Sequence, residues 1–161
     1  MIYALIFIII VLILDIIVNK IPKPEIESAK DIDLSSLYQK KIYLLTQNEL
    51  KFYKLLKSIT DKNNLNLFSQ VSLYEVINAK DIKSFNKIKS KTIDFVITDT
   101  NCRVKLCIEL DDSTHIKENR QKRDEFVDKL FNTLDIKLIR IPVQNFYNLN
   151  DLEQKVKESC F

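Results

Sequence analysis

The chain has 161 residues and not one glycine. Glycine is the residue that takes a left-handed backbone at no steric cost, so turns built on it are excluded. The Walker-type phosphate loop, the GxGxxG dinucleotide turn and the GxSxG nucleophile elbow all fall away. Where a positive φ is needed, asparagine is the expected substitute, which points to Asn63-Asn64 and to Asn101. A single histidine, His115, also excludes HExxH, two-histidine finger and three-histidine zinc sites, so any metal is expected to be held mainly by oxygen. Cys102, Cys107 and Cys160 form no CxxC pair and are odd in number, and they read as reduced thiols.

Residues 2–18 are apolar apart from Asp15, and as a helix they would span ~25 Å, enough for a short, nearly upright membrane span. No basic residue precedes the run and no small-residue cleavage site follows it, so it reads as an uncleaved anchor rather than a signal peptide. Lys20 and Lys23 follow the run, which by the positive-inside tendency puts the remainder of the chain in the cytoplasm. The expected organisation is a transmembrane anchor over 1–19, a linker over 20–40 holding Pro22 and Pro24, and a folded domain over 41–161. A composition of 46% hydrophobic and 29% charged residues suits one such domain with a core.

Within that domain, Thr46-Gln-Asn-Glu49 is a capping-box pattern, and Leu50, Tyr53, Leu56 and Ile59 recur at helical spacing, so a helix is expected over 46–60. Leu65 to Leu73 reads as a strand, and the stretch from Tyr74 to Ile88 fits either a short helix or a loop. Ile93–Thr98 and Val104–Leu110 read as an antiparallel hairpin turning at Asp99–Cys102. Lys117–Leu134 places Phe126, Val127, Leu130, Phe131 and Leu134 on one helical stripe, Ile136–Ile141 reads as a strand, and Asp151–Cys160 as a closing helix.

Alternation along the second hairpin strand puts Glu109 and Asp111 on one face, with Lys105 and Cys107, while Leu106, Ile108 and Leu110 face the other way. Antiparallel pairing brings Asp94, near the start of the first strand, beside them. Three converging carboxylates repel one another, and a cation relieves the repulsion; hard oxygen donors suit magnesium or manganese better than zinc. Each carboxylate taken singly is also explained as a solvated strand-end charge. Glu49 is accounted for by its cap with Thr46, without excluding a second role, and His115 fits a metal ligand, a proton-transfer group or a loop residue. Net charge is only +3, yet two stretches are basic: one holds Lys87, Lys89 and Lys91, the other Lys117, Arg120 and Arg123.

The run Glu109-Leu-Asp-Asp-Ser-Thr-His115, followed by Arg120 and by Arg123-Asp124-Glu-Phe-Val-Asp128, stands downstream of Thr92-Ile-Asp-Phe-Val96 and of Leu44-Leu-Thr-Gln-Asn-Glu49. Together these motifs resemble the domain of unknown function family 2726, in the PD-(D/E)XK restriction-endonuclease-like superfamily, over about residues 41 to 150. The resemblance implies an α/β fold with an αβββαβ core and a mixed central sheet, here preceded by the N-terminal transmembrane helix. It puts Asp94 in the first acidic position and Glu109 in the second. The pattern departs at Asp111, where the superfamily usually carries a lysine, and Lys105 and His115 are the groups able to stand in for it.

The function expected on this basis is metal-dependent hydrolysis of phosphodiester bonds, in DNA ahead of RNA, by a membrane-tethered cytoplasmic domain. Asp94, Glu109 and Asp111 would hold magnesium or manganese, and His115 or Lys105 would assist proton movement or charge stabilisation. Lys87, Lys89, Lys91, Lys117, Arg120 and Arg123 would grip the phosphate backbone without reading sequence. Two other readings remain: an inactive nuclease-fold domain that binds nucleic acid or a protein partner, and a membrane scaffold with a purely structural acidic patch.

Overall fold

The computed structural model describes residues 10–14, 16, 33–111 and 118–161, residues 118–124 through their backbone alone. The chain divides into two units, Met1–Ile42 and Tyr43–Phe161. In the first, residues 10–14 and 16 are helical, and their apolar side chains are about half exposed on every side. A single helical turn, α1 (Leu34–Leu37), is capped by Asp33, whose carboxylate accepts the Ser35 N–H at 3.0 Å. Among the described residues no helix is long and apolar enough to cross a membrane. Most of the run 2–18, on which the anchor expectation rests, lies outside them, as do residues 20–32 of the expected linker.

The second unit begins its regular structure at the capping box. Thr46 N–H donates to Glu49 Oε2 at 2.6 Å and Glu49 N–H donates to Thr46 Oγ1 at 3.3 Å, which fixes the start of α2 (Gln47–Lys62). The chain continues through β1 (Asn66–Ser72), α3 (Leu73–Val76), α4 (Ile82–Ile88), β2 (Thr92–Thr98), β3 (Val104–Asp111), α5 (Glu118–Thr133), β4 (Leu138–Pro142) and α6 (Leu149–Cys160). The stretch that fits helix or loop by sequence is thus two short helices joined by loop. The four strands form one mixed sheet in the order β1-β2-β3-β4, with β1, β2 and β3 antiparallel and β3 parallel to β4.

Both faces of this sheet are covered, which is why Phe95–Thr98 and Leu106–Ile108 are buried without alternation. On one face Phe52, Leu56 and Ile59 of α2 and Leu152 and Val156 of α6 pack on Phe95, Ile97, Leu106 and Ile108. Phe52 sits at the centre, its ring 5.6 Å from Phe95 and 5.0 Å from Tyr147. On the other face Leu73, Ile77 and Ile88 join Val127 and Phe131 of α5 over Val96 and Cys107.

The lack of glycine is met at four described positions with positive φ: Asn64, Gln70, Cys102 and Asp135. Asn64 and Asp135 follow α2 and α5, where the N–H of the next residue, Leu65 or Ile136, reaches back to Thr60 O or Phe131 O at 3.0 Å and closes the helix end. Asn64 is where the sequence places it, but Asn101 is not left-handed; Cys102 is. The turn explains the correction. Asp99 O accepts the Cys102 N–H and the Asp99 carboxylate accepts the Asn101 and Arg103 N–H groups, giving a tight turn whose left-handed residue is the one after its centre.

Glu153 of α6 ties that helix to α2. Its Oε1 is sealed from solvent with the ammonium groups of Lys62 and Lys157 at 2.9 and 2.8 Å. The hydrogen bond from Lys157, then that from Lys62, hold its carboxyl down at about 2. Because the folded value lies below the ordinary 4.5, the stabilisation is complete above pH 4.5 and is lost as pH falls toward about 2. Glu153→Gln is expected to lower the thermal midpoint at pH 7, and the gap to the original protein should close through that window; a constant gap would disprove the clasp. Cys102 is exposed, so Cys102→Gly should raise stability by about 0.5–1 kcal/mol, the left-handed penalty of roughly 1–2 kcal/mol less the chain entropy of glycine. A urea midpoint shifted downward would contradict this account of the turn.

Candidate acidic site

Phe95 pairs with Ile108 and Val96 with Cys107, and the same register continued one step sets Asp94 beside Glu109 at the end of the hairpin opposite its turn. There Asp94 Oδ2 accepts the Leu110 N–H at 2.8 Å, so a side chain does the work of a ladder carbonyl. Asp94 is half-buried, and that burial pushes its carboxyl above the usual range; the Leu110 N–H opposes the shift, the charge of Glu49 adds to it, a hydrogen bond with Glu109 opposes it and the charge of Asp111 adds to it. Three other carboxylates from two elements are therefore close enough to act on Asp94.

Glu49 reaches the group from α2. Its Oε2 completes the capping box while its Oε1 accepts the Gln70 side-chain amide at 3.1 Å, so one residue serves both the helix start and the acidic cluster. Gln70 stands between Ser69 and Val71, which pair with Phe95 and Ile93, and is thus level with Asp94. Its left-handed backbone interrupts β1 at that point. Cys107, on the same face of β3, is fully buried, and burial with the charge of Glu109 pushes its thiol up to about 12. That thiol stays protonated and is no nucleophile.

Asp111 is set by a neighbour that sequence reasoning did not find. Parallel pairing puts Arg140 of β4 level with Glu109, and the guanidinium spans from Asp111 Oδ1, 3.4 Å from Nη1, to Asp128 Oδ1 of α5, 3.1 Å from Nε and 3.0 Å from Nη2. Arg140 also lines a cleft of about 200 Å³ with Gln144, Tyr147, Asn148, Asp151 and Lys155. The signal available beforehand was a lone arginine between Ile139 and Ile141. The register of a parallel pair, which aligns that arginine with the acids, is not written in local sequence.

Other candidates are placed elsewhere. Lys105 lies on the expected face but four residues, about 13 Å, along β3 from Glu109, where its charge acts on Asp99 and Cys160. Lys87 and Lys89 are exposed on and just after α4, and Lys91 is half-buried with its Nζ 5.9 Å from the centre of the Phe126 ring. His115 and Lys117 lie outside the described residues, and Arg120 and Arg123 lie in the part of α5 described by backbone alone. Among the described residues no three His, Cys, Asp or Glu side chains are arranged around one point as a finished metal cage. The carboxylates are instead engaged with Leu110, Gln70, Thr46 and Arg140.

A sequence profile for the family described as "Protein of unknown function (DUF2726)" matches residues 40–159. A protein of Haemophilus influenzae, described as an uncharacterized protein, is 31% identical over 96 residues, covering 58% of this chain and 50% of that protein. The chain thus spans about half the length of that curated relative. No solved structure matches significantly. The profile takes in every element of the second unit and all the carboxylates around Asp94, and the chain belongs to the DUF2726 family.

Proposed function

We propose that the second unit is a metal-dependent, nuclease-like domain with a restriction-endonuclease-like core, acting on phosphodiester bonds of DNA and tethered to a membrane by residues 2–18. The observation that carries this reading is Asp94, a half-buried carboxylate whose Oδ2 is held by the Leu110 N–H beside Glu109 and on which the charges of Glu49 and Asp111 act. With the short helices α3 and α4 set aside, the succession α2, β1, β2, β3, α5, β4 around a mixed sheet accords with the αβββαβ order. The all-round exposure of Ile10 to Leu14 suits a lipid surround.

The donor set fits a hard divalent cation in its chemistry. It offers carboxylate oxygens alone, and they include one whose burial disfavours its charge even with the Leu110 N–H bonded to it. Asp94, Glu109 and Asp111 would hold magnesium or manganese, with Glu49 behind Asp94. Such an ion supplies Lewis-acid polarisation of the phosphodiester and a water of lowered pKa. Arg140 holds Asp111 in place and would offer a cation to charge developing on phosphorus, the part a lysine at position 111 would take. Lys87, Lys89 and Lys91 would supply backbone contacts that carry no sequence information. Binding of nucleic acid without cleavage is the second reading, and the observation favouring it is Asp111 itself, an acid paired with arginine where the resemblance expects a lysine.

Full-length protein in detergent, incubated with single- and double-stranded DNA and RNA in magnesium, manganese or chelator, tests the proposal. Metal-dependent cleavage is expected, with Glu109→Ala at least about 100-fold slower, since even outer partners of metal ligands cost 10–100-fold. Arg140→Met should lose about 100-fold, the scale for one missing charge-stabilising donor, and Arg140→Lys should recover part of it. Cleavage undiminished in Glu109→Ala would sink the site, and tight binding with no cleavage in any metal would establish the second reading.

Stability reports on the same site without a substrate. A carboxyl raised on folding destabilises the fold once it ionises, so Asp94 costs stability at neutral pH and less as pH falls toward its raised value. Asp94→Asn keeps an oxygen for the Leu110 N–H and removes the charge, and should melt higher than the original protein in chelator at pH 7. Magnesium or manganese at a hundred times its dissociation constant should stabilise the original by roughly 2.7 kcal/mol and the variant by less. Equal melting temperatures across all four conditions would leave no metal site to defend.

A further inference from the structure

The first unit carries an apolar surface that the nuclease reading does not use. In α1 the side chains of Leu34 and Leu37 stand at i and i+3 on one turn, each 62% exposed; Tyr38, the C-cap on extended backbone, is 74% exposed, and Ile42, beyond the helix, is 81% exposed. The opposite face is polar and internally satisfied. Ser35 Oγ donates to Asp33 Oδ1 and Ser36 Oγ to Asp33 O, each at 2.7 Å, and the bonds from Ser35 hold the Asp33 carboxyl below its ordinary range. A turn that spends its hydroxyls on its own cap and leaves two leucines and a tyrosine in water is amphipathic with its apolar side uncovered.

We propose that this segment, residues 34–42, lies on the surface of the same bilayer that holds residues 2–18, with Leu34, Leu37, Tyr38 and Ile42 entering the headgroup region. The inference rests on the anchor reading above. Three observations favour lipid over a protein partner. Only residues 19–33 separate the segment from the apolar run, and fifteen residues reach at most about 50 Å, so the tether keeps the segment at high effective concentration beside the membrane. Tyrosine is the side chain suited to a boundary, with an apolar ring and a polar tip. Lys40 and Lys41 follow after Gln39 against the single acid Asp33, so residues 33–42 sum to a formal charge of +1, the sign that anionic headgroups attract. A surface-bound segment here would hold the start of the second unit at the membrane instead of letting it range on its tether.

The chain contains no tryptophan, so Tyr38→Trp in the full-length protein is the sole tryptophan and is excited selectively beyond the tyrosine absorption band. The protein is reconstituted in vesicles of phosphatidylcholine alone or with phosphatidylglycerol, then floated on a density gradient. The expected result is flotation with the vesicles, blue-shifted emission relative to Phe146→Trp, a site 90% exposed in the second unit, and loss of intensity in lipids brominated on their acyl chains. Adding Leu34→Ser and Leu37→Ser should abolish the shift and the quenching while flotation persists. Protein that fails to float overturns the anchor reading on which the inference rests. Protein that floats with water-like emission overturns the surface contact alone, and a blue shift without quenching assigns the face to protein and overturns it as well.

Discussion

The register of β2 against β3 is the constraint from which the second unit follows. Phe95 opposite Ile108 sends one set of side chains to the layer formed by α2 and α6, and Val96 opposite Cys107 sends the other set to α3, α4 and α5. A slip of one residue would exchange the two sets and carry Glu109 and Asp111 into the layer around Phe52. The same register that buries the core therefore fixes where the acids emerge. Stability and site are specified together, since the apolar residues that hold the strands in phase alternate with the carboxylates.

That arrangement has an electrostatic consequence. Glu49, Asp94, Glu109, Asp111 and Asp128 are five acids, and the guanidinium bonded to two of them, that of Arg140, carries one positive charge. Asp94 bears the excess: it is half-buried, and the neighbouring charges of Glu49 and Asp111 work against its ionisation. Asp111 is in a different position, because its neighbour is an arginine. Neutralising Asp111 would remove an attraction along with a repulsion, whereas neutralising Asp94 removes repulsion and keeps its hydrogen bond. The two acids look equivalent in sequence and differ in what surrounds them.

What was legible in the sequence was what local chemistry dictates. Thr46 and Glu49 announced the start of α2, the β-rich runs around Asp99–Cys102 announced the hairpin, and strand alternation put Glu109 and Asp111 on one face. Asn64 followed from the lack of glycine, but Asn101 did not, because the turn closed by Asp99 sets its left-handed position one residue later than residue preference alone suggests. Arg140 and Gln70 were not legible. One depends on a parallel register formed through the crossover helix α5, the other on a backbone irregularity in β1, and both join residues far apart in the chain. Lys105 shows the reverse error: it shares the face of Glu109, but a strand rises about 3.3 Å per residue, and a shared face is not a shared site.

Arg140 also bears on how the acidic site and a cation would coexist. Its guanidinium bonds both Asp111 and Asp128, and the geometry is unequal: two bonds of 3.0 and 3.1 Å to Asp128 against one of 3.4 Å to Asp111. A divalent ion drawing on Asp111 would compete for the weaker of these contacts and leave the stronger pair standing. Under the proposed reading, Asp128 of α5 would hold Arg140 in place while Asp111 serves among the residues that would hold the metal. A lysine at position 111 would bring its charge on the same strand as Glu109; here a positive charge stands on the neighbouring strand, placed by its two bonds to Asp128 as well as by Asp111.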